Sequence, residues 1–494
     1  MMSIVARRIA ANSPQVARRL MRPGASNQPF GSPQAPPRAG LADIPPTLRN
    51  LVVPKPDPGF VLVEGASKEA EEIAGLIQRS RAAQAKIANY TQEQVDDLIT
   101  AMVWAVAEES TAKMIAAHTV EETQLGNYEG KYLKIFRKTR CALMDIIDDR
   151  SVGVVEEVPA RGLVKLAKPV GVIGALSPST NPEATPVIKA ISAVKGKNSI
   201  VVAPHPRAAK TNALIVGLLR GACERMGAPR DLVLGVDNPS VLKTEELMRQ
   251  CDRVLATGGS AMVRAAYSSG TPALGVGVGN AVVTVDKSAD LDDAAKKIAL
   301  SKTLDLAASC SADNSLILLD QIYDQMVTKL VARGGLVLSA EQKAKLQAVI
   351  WNEKGQINAR IVAQPAAAIA ELAGFSIPAG TEFFLAPETG WGPSHPFSGE
   401  KMCVTAALYR ARDLGHAIEI TRGIQAYQGS GHSAGIYTSD KGSALALAHA
   451  LDTSRLLVKK EWRAAQLMSC TVVLLPGCSG GDRLGFTRLD RAIL

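Results

Sequence analysis

The chain has 494 residues, 47% apolar and 21% charged, which is room for two or three domains with a large core and ordinary for a globular protein. Its net charge of +9 sits at the ends: residues 1–42 carry six Arg and no acid, residues 459–494 carry six basic and three acidic side chains, and of the 56 basic and 47 acidic residues in all, 44 of each remain between them. A neutral body with only 4% aromatic residues argues against a nucleic-acid binder, no apolar run approaches a membrane span, and seven scattered cysteines without a C-x-x-C pair or a His cluster argue against a disulfide framework or a metal site and fit a reducing compartment.

Residues 1–42 read as an appended segment. Val5, Ile9, Val16 and Leu20 fall on roughly one helical face among Arg7, Arg8, Arg18 and Arg19, and a Pro/Gly/Ser/Gln stretch from Pro23 to Gly40 follows. Such a segment resembles an organelle transit peptide, or a tail that docks an enzyme into a bacterial microcompartment through a shell or targeting receptor; the alternative is a disordered extension without a partner. From Ser67 to Ala107 the apolar period is helical, and Thr91 with Gln94 forms a capping-box start for a helix burying Val95, Leu98, Ile99, Met102 and Val106. The helical pattern continues to Asp149. Val152 to Val158 and Leu163 to Ala167 then read as a hairpin, an oligomerisation arm or a surface flap.

From Val170 continuous apolar runs alternate with helical stretches, as strands buried on both faces of a parallel sheet require. The expected strands are Val170 to Leu176, Ser199 to Ala203, Leu232 to Val236 and Arg253 to Ala256, with a helix over Thr211 to Met226. This is a dinucleotide-binding pattern without a G-x-G-x-x-G fingerprint: the Gly-rich turn Thr257-Gly258-Gly259-Ser260 follows a strand and opens a helix, but lacks the third glycine.

A helical stretch, Asp292 to Ser301, leads to Ala308-Ser309-Cys310-Ser311-Ala312, ahead of the strand-like run Ser315 to Leu319. Small neighbours leave a thiol room to meet a carbonyl carbon, with a donor beside it for the oxyanion. A second α/β region runs to about Val458, with helices expected at Gln321 to Ala332 and Glu341 to Val349. Its loop from Pro387 to Lys401, rich in Pro and Gly, is followed by a strand at Val404 to Tyr409 and is shaped for a site.

Four segments in this order resemble the aldehyde dehydrogenase superfamily, and specifically its CoA-acylating branch. They are Ser177-Pro178-Ser179-Thr180-Asn181-Pro182, Ala203-Pro204-His205-Pro206-Arg207-Ala208, the turn Thr257-Gly258-Gly259 with Gly275-Val276-Gly277-Val278-Gly279-Asn280 behind it, and Ser309-Cys310-Ser311 with Glu400-Lys401 downstream. The resemblance covers about residues 65 to 458. It implies an α/β fold with a Rossmann-type cofactor domain over residues 43–300 (the oligomerisation hairpin at 151–168), a catalytic domain over 301–458 and a divergent tail over 459–494.

It further implies that Cys310 is the nucleophile and Asn181 an oxyanion donor. Ser177, Thr180, His205, Pro206, Gly258, Gly259, Ser260, Gly277 and Glu400 would contact NAD or NADP, with Glu400 on the nicotinamide ribose, and coenzyme A would be the acyl acceptor. Hydrolytic relatives carry a Glu base in an E-L-G-G element, and here the matching position is Gly275. Without that base, attack by a CoA thiol is favoured over attack by water.

The expected activity is oxidation of a short aldehyde to its acyl-CoA. The pattern S-C-S-x-x-N-S leans towards sulfoacetaldehyde, with acetaldehyde and propionaldehyde as the other substrates; an anionic aldehyde requires a positive partner that the sequence does not place. Alternatives are a hydrolytic semialdehyde dehydrogenase and a non-catalytic scaffold or cargo protein with the same fold. A homodimer or homotetramer is expected, without nucleic-acid or membrane partners, in the cytoplasm, in a microcompartment, or in an organelle matrix if residues 1–42 are a transit peptide. Departures from the family are Leu304 and Leu306 around Asp305, where Phe and Asn are usual, and the run after Lys459, where only Met468-Ser469-Cys470 and Gly480-Gly481 are reminiscent of the family's end.

Overall fold

A computed structural model describes residues 67–459 except 354. The segment 1–42 and the residues beyond 459, with Cys470 and Cys478, lie outside the described residues. Four helices come first: α1 (Lys68–Lys86), α2 (Gln92–Ala107), α3 (Glu109–Thr123) and α4 (Tyr128–Ile146). Each begins where a side chain accepts an otherwise orphaned amide hydrogen. Ser67 caps α1 and Asn127 caps α4, while Thr91 and Gln94 form the expected capping box on α2.

The hairpin follows as β1 (Gly153–Val158) and β2 (Leu163–Ala167), paired antiparallel. A five-stranded parallel sheet is then built from β3 (Val172–Ser177), β4 (Ser199–Pro204), β5 (Val233–Gly235), β6 (Arg253–Thr257) and β7 (Ala273–Val276), in the order β5-β4-β3-β6-β7. Helices α5 (Thr185–Lys195), α6 (Ala209–Arg225), α7 (Val241–Gln250) and α8 (Ser260–Tyr267) connect the strands. Side-chain alternation splits each strand between two cores. Ile173, Ala175, Ile200, Val202 and Leu255 face one with α2, α5 and α6, whereas Val172, Leu176, Val201, Val254 and Ala256 face the other with α1 and α7. Burial on both faces is why these strands read as unbroken apolar runs.

The second sheet has seven parallel strands in the order β10-β11-β12-β9-β8-β13-β14. They are β8 (Ala281–Val285), β9 (Asp313–Leu319), β10 (Gly335–Val337), β11 (Phe383–Pro387), β12 (Thr405–Ala411), β13 (Gly431–Tyr437) and β14 (Thr453–Lys459). Helices α9 (Leu291–Thr303), α10 (Tyr323–Val331), α11 (Ala340–Ile350), α12 (Ala366–Ala373), α13 (Leu414–Tyr427) and α14 (Lys441–Ala450) accompany them. The change of sheet falls between β7 and β8, ahead of the boundary expected at residue 300. The short turn Gly277-Val278-Gly279-Asn280 carries the chain across, with Asn280 in the left-handed region at φ 38°, so β8 and α9 belong to the second sheet. No described helix is long and apolar enough to cross a membrane.

Candidate active site

Cys310 sits in the loop between α9 and β9. After α9 the backbone turns through three consecutive left-handed residues, Asp305, Leu306 and Ala307, at φ 50°, 52° and 61°. Non-glycine residues rarely adopt this conformation, so the turn must be held by its surroundings. Asp305, fully buried, is what holds it. Its carboxylate accepts from the Asn127 backbone N–H at 3.0 Å, pairs with Lys131 at 3.0 Å and accepts from Lys134 Nζ. Gly130 makes this approach possible, since a Cβ there would lie 2.5 Å from the Asp305 Cα.

The same lysines reach the neighbouring strand ends and the nucleophile loop. Lys131 Nζ donates to the Thr180 carbonyl at 2.8 Å and lies 3.6 Å from Glu183. Lys134 Nζ donates to the Ala308 carbonyl at 2.8 Å, and burial lowers its pKa to about 8 although Asp305 opposes the shift. Lys138 Nζ donates to Ser309 Oγ at 3.5 Å. One face of α4 thus ties the Thr180-Asn181 turn to the Cys310 loop.

Cys310 is partly exposed into a small cavity lined by Asn280, Lys302, Ala307, Ser309, Ala312, Asn314, Glu400 and Met402. Burial raises its pKa, the Glu400 carboxylate adds to the shift, and Lys138, Arg455 and Lys134 pull it down. Glu400 accepts from the Gly279 N–H at 2.9 Å, and burial raises its pKa despite that bond. Amide side chains lace the surrounding loops. Asn280 Nδ2 donates to the carbonyls of Ser398 and Gln428, both at 2.9 Å, and Asn314 Nδ2 donates to Asn280 Oδ1 and to the Gly399 carbonyl. Lys302 Nζ donates to the Cys403 carbonyl at 3.0 Å and, desolvated, has its pKa lowered to about 8.

The other anticipated residues gather at the carboxyl edge of the five-stranded sheet. Ser177 ends β3, and its carbonyl accepts from the His205 N–H at 2.9 Å. His205 and Pro206 follow β4, and the His205 ring accepts from the Arg207 N–H at 3.1 Å. Gly258, Gly259 and Ser260 join β6 to α8, whose first amides have no side-chain cap, and Gly277 follows β7. This edge fits a dinucleotide. Ser177 Oγ is buried without a hydrogen-bond partner among the described residues, and a Cβ on Gly259 would meet open space. Helix-terminal amides beside a glycine turn suit a pyrophosphate.

Asn181 does not line the Cys310 cavity and is joined to it through the Lys131 network. Its Nδ2 donates to Thr180 Oγ1 at 3.2 Å, and its Oδ1 is buried without a partner among the described residues. Gly275, where a hydrolytic relative carries its base, has its N–H on Tyr267 Oη at 3.1 Å, and a Cβ there would sit 2.7 Å from Val263 Cγ1. Sequence reasoning missed Lys131, Lys134, Lys138, Lys302 and Gln428. The i, i+3, i+7 spacing of the first three was the available signal. Among the described residues no group of three or more His, Cys, Asp or Glu is placed to hold a metal ion.

The sequence model of the aldehyde dehydrogenase family matches residues 46–376. Sulfoacetaldehyde dehydrogenase (acylating) of Cupriavidus necator is 42% identical over 401 residues, 81% of this chain and 81% of the relative. The crystal structure of an acetylating aldehyde dehydrogenase from Geobacillus thermoglucosidasius superposes with a TM-score of 0.76 at 35% identity, covering 79% of this chain and 86% of that one. A Rhodopseudomonas palustris propionaldehyde dehydrogenase, solved with bound CoA and an acylated cysteine, gives a TM-score of 0.69 at 27% identity over 78% of this chain and 87% of its own.

Proposed function

The chain belongs to the aldehyde dehydrogenase family, and on that premise we propose that it oxidises a short aldehyde, sulfoacetaldehyde ahead of acetaldehyde or propionaldehyde, to its acyl-CoA. Cys310 Sγ adds to the aldehyde carbon and the carbonyl electron pair moves onto oxygen, giving a thiohemiacetal. For that oxygen the Cys310 backbone N–H is one donor, and Asn181, which stands outside the cavity with one Nδ2 hydrogen on Thr180 Oγ1, is assigned as the second with its other hydrogen; each such donor is commonly worth about 3 kcal/mol in the transition state. NAD or NADP, which Ser177, Thr180, His205, Pro206, Gly258, Gly259, Ser260, Gly277 and Glu400 would hold, would supply the hydride acceptor. Once the carbon has lost its hydride, Cys310 carries the acyl group as a thioester. The CoA thiolate attacks this carbonyl and Cys310 leaves as a thiolate.

The observation that supports thiolysis over hydrolysis is the closed space at Gly275. No carboxylate stands there, and Glu400, the carboxylate lining the cavity, is engaged with Gly279 and pushed towards its neutral form. Water has no base to activate it, whereas a CoA thiol ionises far more readily. We assign the hairpin β1–β2, which exposes Val154, Leu163, Val164 and Leu166, to contacts within a homodimer or homotetramer. Contact of residues 1–42 with a shell or targeting receptor belongs to the same reading.

The test is reduced-cofactor formation by the full chain with each aldehyde, with and without CoA, beside Cys310→Ala. The reading expects CoA-dependent reduction and acyl-CoA product, both lost in the variant. Free acid formed at an equal rate without CoA overturns it in favour of hydrolysis.

A further inference from the structure

We propose that Lys138 and Arg455 form the subsite for an anionic group carried by the aldehyde, a sulfonate or carboxylate one or two carbons from the reacting carbonyl. This rests on the acylating reading above and names the residues that set its substrate class. Lys131, Lys134 and Lys138 lie along one face of α4 towards the Cys310 loop. The first two are matched by the buried carboxylates of Asp305 and Glu183 and by backbone carbonyls. Lys138 is different. It pairs with no carboxylate among the described residues, and its contact is the Ser309 hydroxyl at 3.5 Å, adjacent to the nucleophile.

Arg455 comes from another layer, on β14, where it pairs in register with Ser433 of β13. Its Nε is buried without a hydrogen-bond partner among the described residues. The carboxylate it acts on, Asp145, is exposed. Ser433 precedes Ala434, which pairs with Val282, and Ala281 pairs with Asp313 at the end of the Cys310 loop; Arg455 therefore lies on the sheet row that runs to that loop, and with Lys138 it favours the Cys310 thiolate. A buried polar hydrogen without an acceptor is costly. Lys138, half-buried with a hydroxyl for its contact, and Arg455, half-buried with its Nε unpartnered among the described residues, suit the arrival of an anion next to the cavity walled by Ala307, Ser309 and Ala312, and planar guanidinium with mobile ammonium suits oxygens spread around sulfur or carbon.

The test compares the full chain with Lys138→Gln and Arg455→Gln, and with the charge-keeping Lys138→Arg and Arg455→Lys. Sulfoacetaldehyde, succinic semialdehyde and propionaldehyde are each supplied with CoA and NAD or NADP. The ratio of kcat/KM for an anionic aldehyde over propionaldehyde is expected to fall about ten- to a hundredfold in each Gln variant, mainly through KM, as loss of a charge-assisted hydrogen bond predicts. The Arg and Lys variants should retain most of that ratio. A fall confined to sulfoacetaldehyde or to succinic semialdehyde supports the subsite and identifies the anion. An unchanged ratio overturns it, whether all three substrates fall together, as they would if these cations only activated the thiol, or none does.

A second measurement needs no turnover. Sulfoacetate should slow alkylation of Cys310 by neutral iodoacetamide in a saturable way, and each Gln variant should lose that protection. Absent protection in the unaltered protein overturns the subsite. A protein that shows protection but forms no acyl-CoA from any aldehyde overturns the acylating reading alone.

Discussion

Gly279 packs against the nucleophile so closely that a Cβ at 279 would lie 1.9 Å from the Cys310 carbonyl oxygen and 2.7 Å from the Cys310 Cβ. The same glycine N–H holds Glu400, so one residue without a side chain sets the spacing between the thiol loop and the Glu400 loop. Gly279→Ala should displace Cys310, because the obstructing atom is backbone and cannot swing aside. Kinetics with saturating aldehyde should show kcat reduced by on the order of a hundredfold, the scale of a small misplacement at a reacting centre, with stability lowered by about 1–3 kcal/mol. An alanine variant with full kcat would show that the two loops do not need this contact.

Asp305→Asn separates the charge of the buried network from its shape. Asn tolerates the left-handed backbone of residue 305, so the substitution removes the negative charge and leaves the turn feasible. Lys134 is then left without its carboxylate, and Lys131 has only Glu183 at 3.6 Å. Breaking a buried pair on one side costs about 3–5 kcal/mol, which urea denaturation should resolve. The sign with pH follows from Lys134, whose folded pKa is already lowered to about 8. Losing Asp305, which raises it, lowers it further. A lysine depressed in the folded state destabilises most when charged in both states, so the variant should regain stability as pH rises from below 8 towards the unfolded value near about 10.4. A flat profile across that window would assign the loss to something other than Lys134.

Much of this arrangement was legible in the residues because its signals are local. The capping box at Thr91 and Gln94, the double-faced strands, the glycine turn after β6 and the small neighbours of Cys310 each depend on a few adjacent positions. What escaped is carried by contacts remote in sequence. Lys131, Lys134 and Lys138 read as a solvated helix face until Asp305 and Ser309, more than a hundred residues away, are brought against them. Asn280, Asn314 and Gln428 have no pattern in common and meet only through tertiary packing. Of the glycines between 275 and 279, spacing alone did not show that Gly279 is the one against Cys310. The expected boundary at 300 falls after the change of sheet because the run Ala281–Val285, apolar but for Thr284, suits either sheet equally.

On the proposed thiolysis, position 275 lacks both a base and the space for one. A Cβ there would approach Val263 Cγ1 to 2.7 Å and Tyr267 Cε2 to 3.1 Å, so Gly275→Glu alone should destabilise the protein without releasing free acid. Adding Val263→Ala removes the nearer obstruction. The double variant should form free acid without CoA at a rate raised on the order of a hundredfold, the lower range for a placed general base. Product analysis by chromatography decides between the two outcomes, and an acid-forming single variant would show that space was never limiting.

The thiol itself titrates high, first because it is buried and second because Glu400 faces it, while Lys138, Arg455 and Lys134 resist. Alkylation of Cys310 by iodoacetamide, followed by mass spectrometry without cofactor, should therefore be slow at neutral pH and rise with pH beyond the ordinary thiol range near about 8.5. Charge removal gives opposite signs. Glu400→Gln deletes a negative neighbour, makes the thiolate easier to form and should move the midpoint down. Lys138→Gln deletes a positive one and should move it up. If both variants shifted the midpoint in the same direction, altered burial rather than charge would be governing the nucleophile.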